Sequence, residues 1–193
     1  MCYNLYAILI KKIKNLNKRE INNEGKIYME KHELVDVEGN KTGKVLTHEE
    51  IRDINNIPKG YYMSVVGVVI LNEDNKILMQ KRSRFKRSNP GKWGICGGKV
   101  DFGESTVEAS IRETSEEIGV QLDKDDLKLL SVNAGEKAVY TVYYAKKNIS
   151  VGDCKIQEKE LEEVKYFDID EIADLDNEGV EWLDSLKELE QTT

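Results

Sequence analysis

The chain has 193 residues, of which 39% are hydrophobic and 34% are charged, and it contains 2 prolines and 14 glycines. These values predict about one globular domain with a real core, and they exclude collagen, low-complexity disorder and a disulfide-stapled mini-protein. The net charge of -7 argues against nonspecific nucleic-acid binding. Apolar runs of about ten residues are too short to cross a bilayer.

Residues 1–28 form a predicted N-terminal leader. An apolar stretch at 2–10 precedes three lysines within 11–14, whereas a secretory signal carries its positive charges before the apolar region. A packed or frayed helix is favoured over one that touches a membrane, and Met29 offers a second place where translation could begin. Three widely spaced cysteines without an export signal indicate free thiols in a reducing cytoplasm.

Residues 29–60 are predicted to form a hairpin and a short helix. Strands at 34–37 and 44–46 flank a glycine-containing segment that suits a chain reversal. Thr47, with Glu50 three residues later, has the pattern of a capping box, which predicts a short helix that ends before the next proline.

The main domain is predicted over 61–193. A Val/Ile-rich run suits a buried strand, further strand patterns follow it, and an amphipathic helix closes the chain. The predicted strands are 62–71, 76–81, 127–132, 139–145 and 164–169, and the closing helix is 176–190 with Val180, Leu183, Leu186 and Leu189 on one face.

Histidine occurs only at positions 32 and 48. A zinc site or Cys/His catalysis in the C-terminal three-quarters of the chain would therefore have no histidine to use. Carboxylates are abundant, so a metal in that part of the chain is expected to be hard and bound through oxygen.

The segment 97–120 carries the strongest chemical pattern. Ser105 and Glu108 form a second capping box, and Gly119 supplies a C-terminal stop. At helical spacing, three glutamates share the face opposite the apolar residues, where like charges repel each other. They form either a solvated acidic face or the ligands of a divalent cation, and oxygen ligands alone point to Mg²⁺ or Mn²⁺. The glutamates are Glu113, Glu116 and Glu117, and the apolar arc is Val107, Ile111, Thr114 and Ile118.

The spacing favours the metal-binding interpretation. Gly98, Glu104 and the run RETSEEIGV that begins at Arg112 are separated by five and seven residues. This stretch closely resembles the Nudix box, with Thr114 at a position where an aliphatic residue is commoner. The resemblance implies an α/β fold, namely a Nudix-type α/β/α sandwich around a mixed sheet, here with an N-terminal hairpin extension. It also implies hydrolysis of the diphosphate link of a nucleoside diphosphate joined to another group, X.

The same resemblance assigns roles within the box. Arg112 would hold the carboxylates in place, and Glu104 would support the loop. Mg²⁺ would bridge the phosphates, offset their charge and lower the pKa of an attacking water, so that substitution occurs at phosphorus. The implied metal ligands are Glu113, Glu116, Glu117 and the carbonyl of Gly97.

Residues outside the box helix complete the predicted site. Glu160 is the preferred general base or a distal metal ligand, although a solvated loop acid fits equally well and Glu113 competes for the role of base. Arg82 ends a strand and suits a bidentate grip on phosphate, whereas the other basic residues around it suit a solvated loop. Lys99 is positioned to reach the metal-phosphate site, and Trp93 is expected to anchor the core.

Two other functional classes stay open beside the hydrolase. The hairpin resembles the N-terminal section of isopentenyl-diphosphate isomerase-like Nudix hydrolases. True isomerases use a histidine-rich metal site and a cysteine acid/base, whereas this chain has no histidine after 48, and Cys96 suits a buried small hydrophobe. A catalytically weak nucleotide-binding sensor usually shows eroded box carboxylates, and none is eroded here.

The prediction is therefore a cytoplasmic, Mg²⁺-dependent pyrophosphohydrolase. Its substrate is expected to be a small-molecule diphosphate, specifically a nucleotide derivative, with no nucleic acid or membrane as partner. Family members are often dimers, and the hairpin could supply a swapped contact for a homodimer. The base, the sugar and the X group are not determined by the sequence.

Overall fold

The computed structural model describes residues 19–21, 27–86, 88–157, 159–177 and 181–191. Within the predicted leader, β1 (Arg19–Ile21) pairs antiparallel with β2 (Ile27–Met29). The predicted apolar helix at 2–10 lies outside the described residues. Among the helices that the structure does describe, none has the length and apolar character needed to cross a membrane.

The remaining elements follow in chain order. The hairpin consists of β3 (Lys31–Val35) and β4 (Lys41–Thr47). The main-domain strands are β5 (Met63–Leu71), β6 (Ile77–Arg82), β7 (Trp93–Gly94), β8 (Cys96–Lys99), β9 (Lys128–Ala134), β10 (Ala138–Lys146) and β11 (Leu161–Phe167). The α-helices are α1 (Thr106–Ile118), α2 (Ile169–Ile172) and α3 (Trp182–Gln191).

A mixed sheet of seven strands forms the centre of the domain. Its main path has the order β11-β6-β5-β10-β9, with β7 paired to β6 and β8 paired to β5. Strand β10 runs parallel to β5, and the other pairings in this sheet are antiparallel. The first four strands predicted for the main domain are confirmed, with ends that differ by no more than two residues.

Side chains that alternate along β5 build a hydrophobic core on each face of this sheet, because successive strand residues point to opposite sides. Helix α1 covers one face and α2 and α3 cover the other, so the predicted α/β/α sandwich is confirmed. The α1 side contains Val68, Ile70, Leu78 and Ile118, and the α3 side contains Val69, Leu71, Met79, Trp182, Leu183 and Leu186.

The N-terminal hairpin is present, but its turn lies earlier than predicted. The Asp36 carboxylate accepts hydrogen bonds from the backbone N–H groups of Glu38 and Asn40, at 3.0 and 2.8 Å, and these bonds close the chain reversal within 36–40. Strand β3 therefore begins and ends earlier than the predicted strand at 34–37. Strand β4 is longer than the predicted 44–46 at both ends and contains Gly43, which was assigned to the loop.

The short helix predicted after Thr47 is confirmed only in part, because no α-helix forms there. The capping bonds between Thr47 and Glu50 do form, but two short 3₁₀ turns follow them, at Glu50–Arg52 and Ile54–Asn56. Asp53 adopts an extended conformation between the turns, and its side chain accepts a bond from the Asn55 N–H, which starts a new turn.

The ends of the last strand and the last helix also differ from prediction. Asp168 caps α2, so β11 stops at Phe167 and does not continue to 169. The carbonyl of Asp176 accepts a bond of 2.9 Å from the N–H of Trp93, and this pairing holds the chain extended where the closing helix was predicted to begin. Helix α3 therefore begins at Trp182 within the described residues, and Val180 lies outside them.

Candidate active site

The ends of α1 are fixed by its own sequence. The Ser105 hydroxyl accepts a bond from the Glu108 N–H at 3.2 Å, and the Glu108 carboxylate accepts one from the Ser105 N–H at 2.9 Å. Gly119 ends the helix in the left-handed region, with φ 73°. Both predicted caps are therefore confirmed, and they fix where the helix begins and ends.

The two glycines of β8 let the strand pass close to its neighbours. A Cβ atom on Gly97 would lie 3.0 Å from Gly67 Cα and closer still to the Val66 carbonyl oxygen, both of which belong to β5. A Cβ atom on Gly98 would lie within 2.8 Å of both oxygens of the Glu113 carboxylate. Only glycine permits this approach, which brings the β8 backbone to the acidic face of α1.

Glu117 is the buried carboxylate of the site, with 8% of its surface exposed. Its Oε2 accepts hydrogen bonds from Gln80 Nε2 at 2.7 Å and from the Gly97 N–H at 2.9 Å. Burial raises the pKa of the Glu117 carboxyl to about 7, although these two bonds act in the opposite direction. The carboxylate lies against β8 and β6 and does not extend into solvent.

Gln80 is the site residue that the sequence reasoning missed. It is 1% exposed and lies in β6, where its amide also donates to the Ile95 carbonyl at 3.3 Å. Strand alternation places it on the same face as Leu78, which packs against α1, so a glutamine at this position of an apolar strand was the available signal. The thiol of Cys96 donates to Gln80 Oε1 at 3.4 Å, and the predicted burial of Cys96 is confirmed.

Arg112 connects the helix to the loop before it. Its Nε and Nη2 donate to the two carboxylate oxygens of Glu104 at 2.8 and 2.9 Å, and Nη1 donates to Glu113 at 2.8 Å. Longer bonds run to Glu116, at 3.4 Å, and to the carbonyl of Lys99, at 3.0 Å. The hydrogen bonds from Glu104 and Glu113 raise the pKa of the Arg112 guanidinium, so it stays charged.

Glu104 closes the same loop from its other side. Burial favours its neutral form, but the bonds from Arg112 and from the Asp101 N–H outweigh this effect and leave the pKa of Glu104 below its ordinary value. The bidentate pair with Arg112 fixes both side chains in one geometry. The backbone between Lys99 and Glu104 is therefore tied to the first half of α1.

The three box glutamates differ in their surroundings. Glu113 is held by Arg112, Glu117 is buried, and the side chain of Glu116 is 55% exposed. In the described part of the chain, the one set of three acidic, histidine or cysteine ligand atoms that lie within 4.8 Å of one another belongs to Glu30, His32 and His48. The box carboxylates are thus less tightly grouped than helical spacing suggested. Their potential metal-ligating atoms are all carboxylate oxygens on neighbouring turns of α1, beside the glycines of β8. Such a set fits a hard divalent cation.

Arg82 and Glu160 both lie near the end of β6. Arg82 is at the end of β6 and donates to the carbonyl and the hydroxyl of Ser88, both at 3.3 Å. It lies near enough to Glu117 to favour the ionised form of that carboxylate. Glu160 precedes β11, its carbonyl accepts from the Ser83 N–H at 2.8 Å, and its carboxylate forms an ion pair with Lys86.

Trp93 packs into the core on the α3 side. Its ring meets Phe167 edge to face at a centroid distance of 4.8 Å. The expectation that Trp93 anchors the core is confirmed.

Comparison with known proteins gives consistent matches. The NUDIX domain profile matches residues 61–186. The uncharacterised Nudix hydrolase lmo0368 of Listeria monocytogenes is 27% identical over 152 residues, which cover 78% of this chain and 87% of that protein. An RNA pyrophosphohydrolase of Ruthia magnifica is 39% identical over 62 residues, which cover 32% of each chain. The crystal structure of a MutT protein from Methanosarcina mazei matches with a TM-score of 0.53 at 25% identity, over 68% of this chain and 94% of that one.

The fold and the site together define the class of protein. A mixed sheet lies between helices, and the two glycines of β8 bring its backbone close to the acidic face of α1. The chain belongs to the Nudix hydrolase family. The predicted family and fold are confirmed. The matches do not single out the isopentenyl-diphosphate isomerase-like branch, and that finer assignment stays a prediction.

Proposed function

We propose that the protein is a Mg²⁺-dependent pyrophosphohydrolase, with Mn²⁺ as a substitute, that cleaves the diphosphate linkage of a nucleotide derivative. Water would attack at phosphorus. The observation that carries this proposal is the row of carboxylates on α1, which Arg112 and Gln80 hold beside the β8 glycines. Family membership and the RNA pyrophosphohydrolase among the matches support the reaction class.

The proposed metal ligands are the carboxylates of Glu113, Glu116 and Glu117 and the carbonyl of Gly97. A divalent cation bound there would offset phosphate charge and lower the pKa of the attacking water. The chain's own contribution is to orient these oxygens, since Arg112 positions Glu113 and Gln80 positions Glu117. Glu104 acts through Arg112 and is a positioning residue.

Arg82 and Lys99 are the proposed contacts to substrate phosphate. Arg82 ends β6 on the side of the sheet where Glu117 lies, and a guanidinium can hold a phosphate through two parallel bonds. Lys99 follows the glycine pair directly, and its backbone is fixed by the bond from Arg112 to its carbonyl. Both residues would neutralise charge on the diphosphate.

Glu160 remains the preferred general base, with Glu113 as the alternative. Its ion pair with Lys86 and the bond from the Ser83 N–H to its carbonyl hold Glu160 beside the end of β6, next to Arg82. Glu113 is engaged by Arg112 on the helix. Glu160→Gln and Glu113→Gln should separate the two, because loss of the base removes the acidic limb of the pH profile of kcat whereas loss of a metal ligand weakens Mg²⁺ binding.

The decisive experiment tests nucleoside di- and triphosphates, nucleotide sugars, dinucleoside polyphosphates and oxidised nucleotides with and without Mg²⁺. We expect Mg²⁺-dependent release of phosphate-containing products, and Glu117→Gln should lower kcat/KM by roughly 100-fold or more. The matched control is Glu136→Gln, an exposed glutamate between β9 and β10, which should stay within about twofold of the unchanged protein.

Three outcomes would contradict parts of this proposal. Equal activity of Glu117→Gln and Glu136→Gln would exclude Glu117 as a metal ligand. Tight nucleotide binding without turnover would favour the sensor alternative. Conversion of isopentenyl diphosphate to its isomer would favour the isomerase alternative.

A further inference from the structure

Three potential metal ligands lie together on one face of the N-terminal hairpin. His32 lies in β3, and Glu30 directly precedes that strand, two residues before His32. The ligand atoms of Glu30, His32 and His48 all lie within 4.8 Å of one another. His48 lies directly opposite Glu30, because Lys31 pairs with Thr47 and the His48 N–H donates to the Glu30 carbonyl at 2.8 Å. The pairing of β3 and β4 therefore fixes all three positions.

The distances between the ligand atoms fit one small ion. His32 Nε2 lies 3.4 Å from His48 Nδ1, which in turn lies 3.4 Å from Glu30 Oε2, and His32 Nε2 lies 3.9 Å from Glu30 Oε1. In a tetrahedral site with bonds of about 2.0 to 2.1 Å, the ligand atoms are separated by about 3.4 Å. The two separations that involve His48 Nδ1 match this value, and 3.4 Å is long for a direct hydrogen bond.

The backbone prepares His32 for a metal. His32 is 3% exposed, and its Nδ1 lies 3.0 Å from the carbonyl oxygen of Val100. A carbonyl oxygen only accepts, so this bond assigns the proton to Nδ1 and leaves the lone pair of the neutral ring on Nε2. That lone pair faces His48 and Glu30, and a histidine oriented by a carbonyl in this way is typical of metal ligands.

We propose that Glu30, His32 and His48 bind a transition-metal ion, for which Zn²⁺ is the best fit. Two imidazoles and one carboxylate suit Zn²⁺ and its neighbours in the first transition row, whereas the oxygen-only box suits Mg²⁺. Three protein ligands leave a further coordination position for water. This ion is separate from the catalytic cation proposed above.

Such an ion would link the two strands of the hairpin, since Glu30 and His32 lie on one side of it and His48 on the other. It would also hold the His32 ring in place against the loop before α1. The Val100 carbonyl contacts His32, the Phe102 N–H donates to the Lys31 carbonyl at 2.8 Å, and the Asp101 N–H donates to Glu104. The role proposed for the ion is therefore structural.

The test titrates Zn²⁺ and Co²⁺ into the metal-free full-length protein in the presence of excess Mg²⁺. We expect one ion per chain, a tetrahedral Co²⁺ absorption spectrum, and a rise in the unfolding temperature with Zn²⁺. His48→Ala and Glu30→Gln change partly exposed side chains and should each weaken Zn²⁺ binding at least about tenfold. Glu49→Gln, an exposed glutamate beside His48, is the matched control and should bind Zn²⁺ unchanged.

Glu117→Gln separates this proposal from the proposed catalytic site, since it should lose Mg²⁺-dependent turnover but keep the tight Zn²⁺ ion. Absence of Zn²⁺ binding in the unchanged protein would overturn the hairpin site. Equal Zn²⁺ affinity of His48→Ala and Glu49→Gln would overturn it as well, because the bound ion would then lie elsewhere, for example at a cysteine.

Discussion

The box helix and the N-terminal hairpin both bring potential metal ligands together, but they do so by different means. In α1, the glutamates share one face because they are about one helical turn apart, so the face they occupy follows from local spacing although their carboxylates are not tightly grouped. In the hairpin, Glu30 and His48 are neighbours only because β3 and β4 pair in one particular register. A site on a helix can be read from local spacing, whereas a site across two strands depends on where the turn falls.

The two regions also use opposite ligand chemistry and share one loop. Oxygen donors on α1 are supported by Arg112 and Gln80, and the imidazole of His32 is oriented by a backbone carbonyl. Residues 99–104 contact both, since the Lys99 carbonyl accepts from Arg112 and the next carbonyl accepts from His32. The loop therefore connects the hairpin to helix α1.

The largest expected difference between the two regions concerns their glycines. Gly97→Ala in β8 should lower the free energy of unfolding by at least about 4 kcal/mol, because the new methyl group meets the β5 backbone, which cannot move. Gly43→Ala in the hairpin meets no atom within 4 Å, but its φ of 75° should cost about 1 to 2 kcal/mol. Urea unfolding of the two variants measures both values.

Gly152→Ala is the control for this pair, since that position has ordinary contacts and no strained backbone angle. It should change the free energy of unfolding by less than about 0.5 kcal/mol. If Gly97→Ala were no less stable than Gly43→Ala, the close approach of β8 to β5 would not be a requirement of the fold.

The sequence predicts the box region well because the information there is local. Capping residues, helical periodicity and the glycine stop lie within one segment, and the observed helix runs from Thr106 to Ile118 between the predicted caps. Gln80 was within reach of the same reasoning, because it lies between apolar residues on a buried strand and shares the face of Leu78, toward α1. A polar side chain in that position needs a buried partner.

The ligand cluster on the hairpin could not be predicted from the sequence, for a physical reason. A turn at 38–43 left His32 outside the first strand, and the predicted helix after Thr47 placed His48 in a helical turn. The Asp36 side chain closes the turn earlier, which moves the pairing so that His32 lies within the β3–β4 ladder and His48 directly follows its end. A shift of a few residues in register decides whether the ligands meet.

The next largest effect is the pH dependence that Glu117 gives to the free energy of unfolding. Its pKa in the fold is about 7 against an ordinary 4.5, so the folded state binds an extra proton between these values. The extra proton stabilises the folded state by about 3 kcal/mol at pH values below the ordinary pKa. This stabilisation is lost as the pH rises through the folded-state pKa of about 7. In metal-free protein, the difference in unfolding free energy between the unchanged chain and Glu117→Gln should follow this course.

Chemical denaturation in a chelator-containing buffer, at several values between about pH 5 and pH 8, measures this difference. Subtracting the Glu117→Gln curve removes the contributions of all groups that the two proteins share. A difference that stays constant across the range would mean that Glu117 is not buried as a proton-binding group.

The smallest of these effects concerns Gln80 and separates the two regions most cleanly. Gln80→Leu keeps the apolar volume of the strand but removes the side-chain donor to Glu117, which leaves the Gly97 N–H as its other bond. At alkaline pH we expect a loss of about 1 to 3 kcal/mol in unfolding free energy and roughly a tenfold loss in Mg²⁺ affinity, because the carboxylate is less well oriented. Gln121→Leu removes an exposed amide and is the matched control for both measurements. Zn²⁺ binding at the hairpin should be unchanged in either variant, since no contact described for Gln80 reaches β3 or β4. Equal Mg²⁺ affinity in the two variants would mean that β6 does not orient the proposed metal ligands. Their orientation would then depend on α1 and β8 alone.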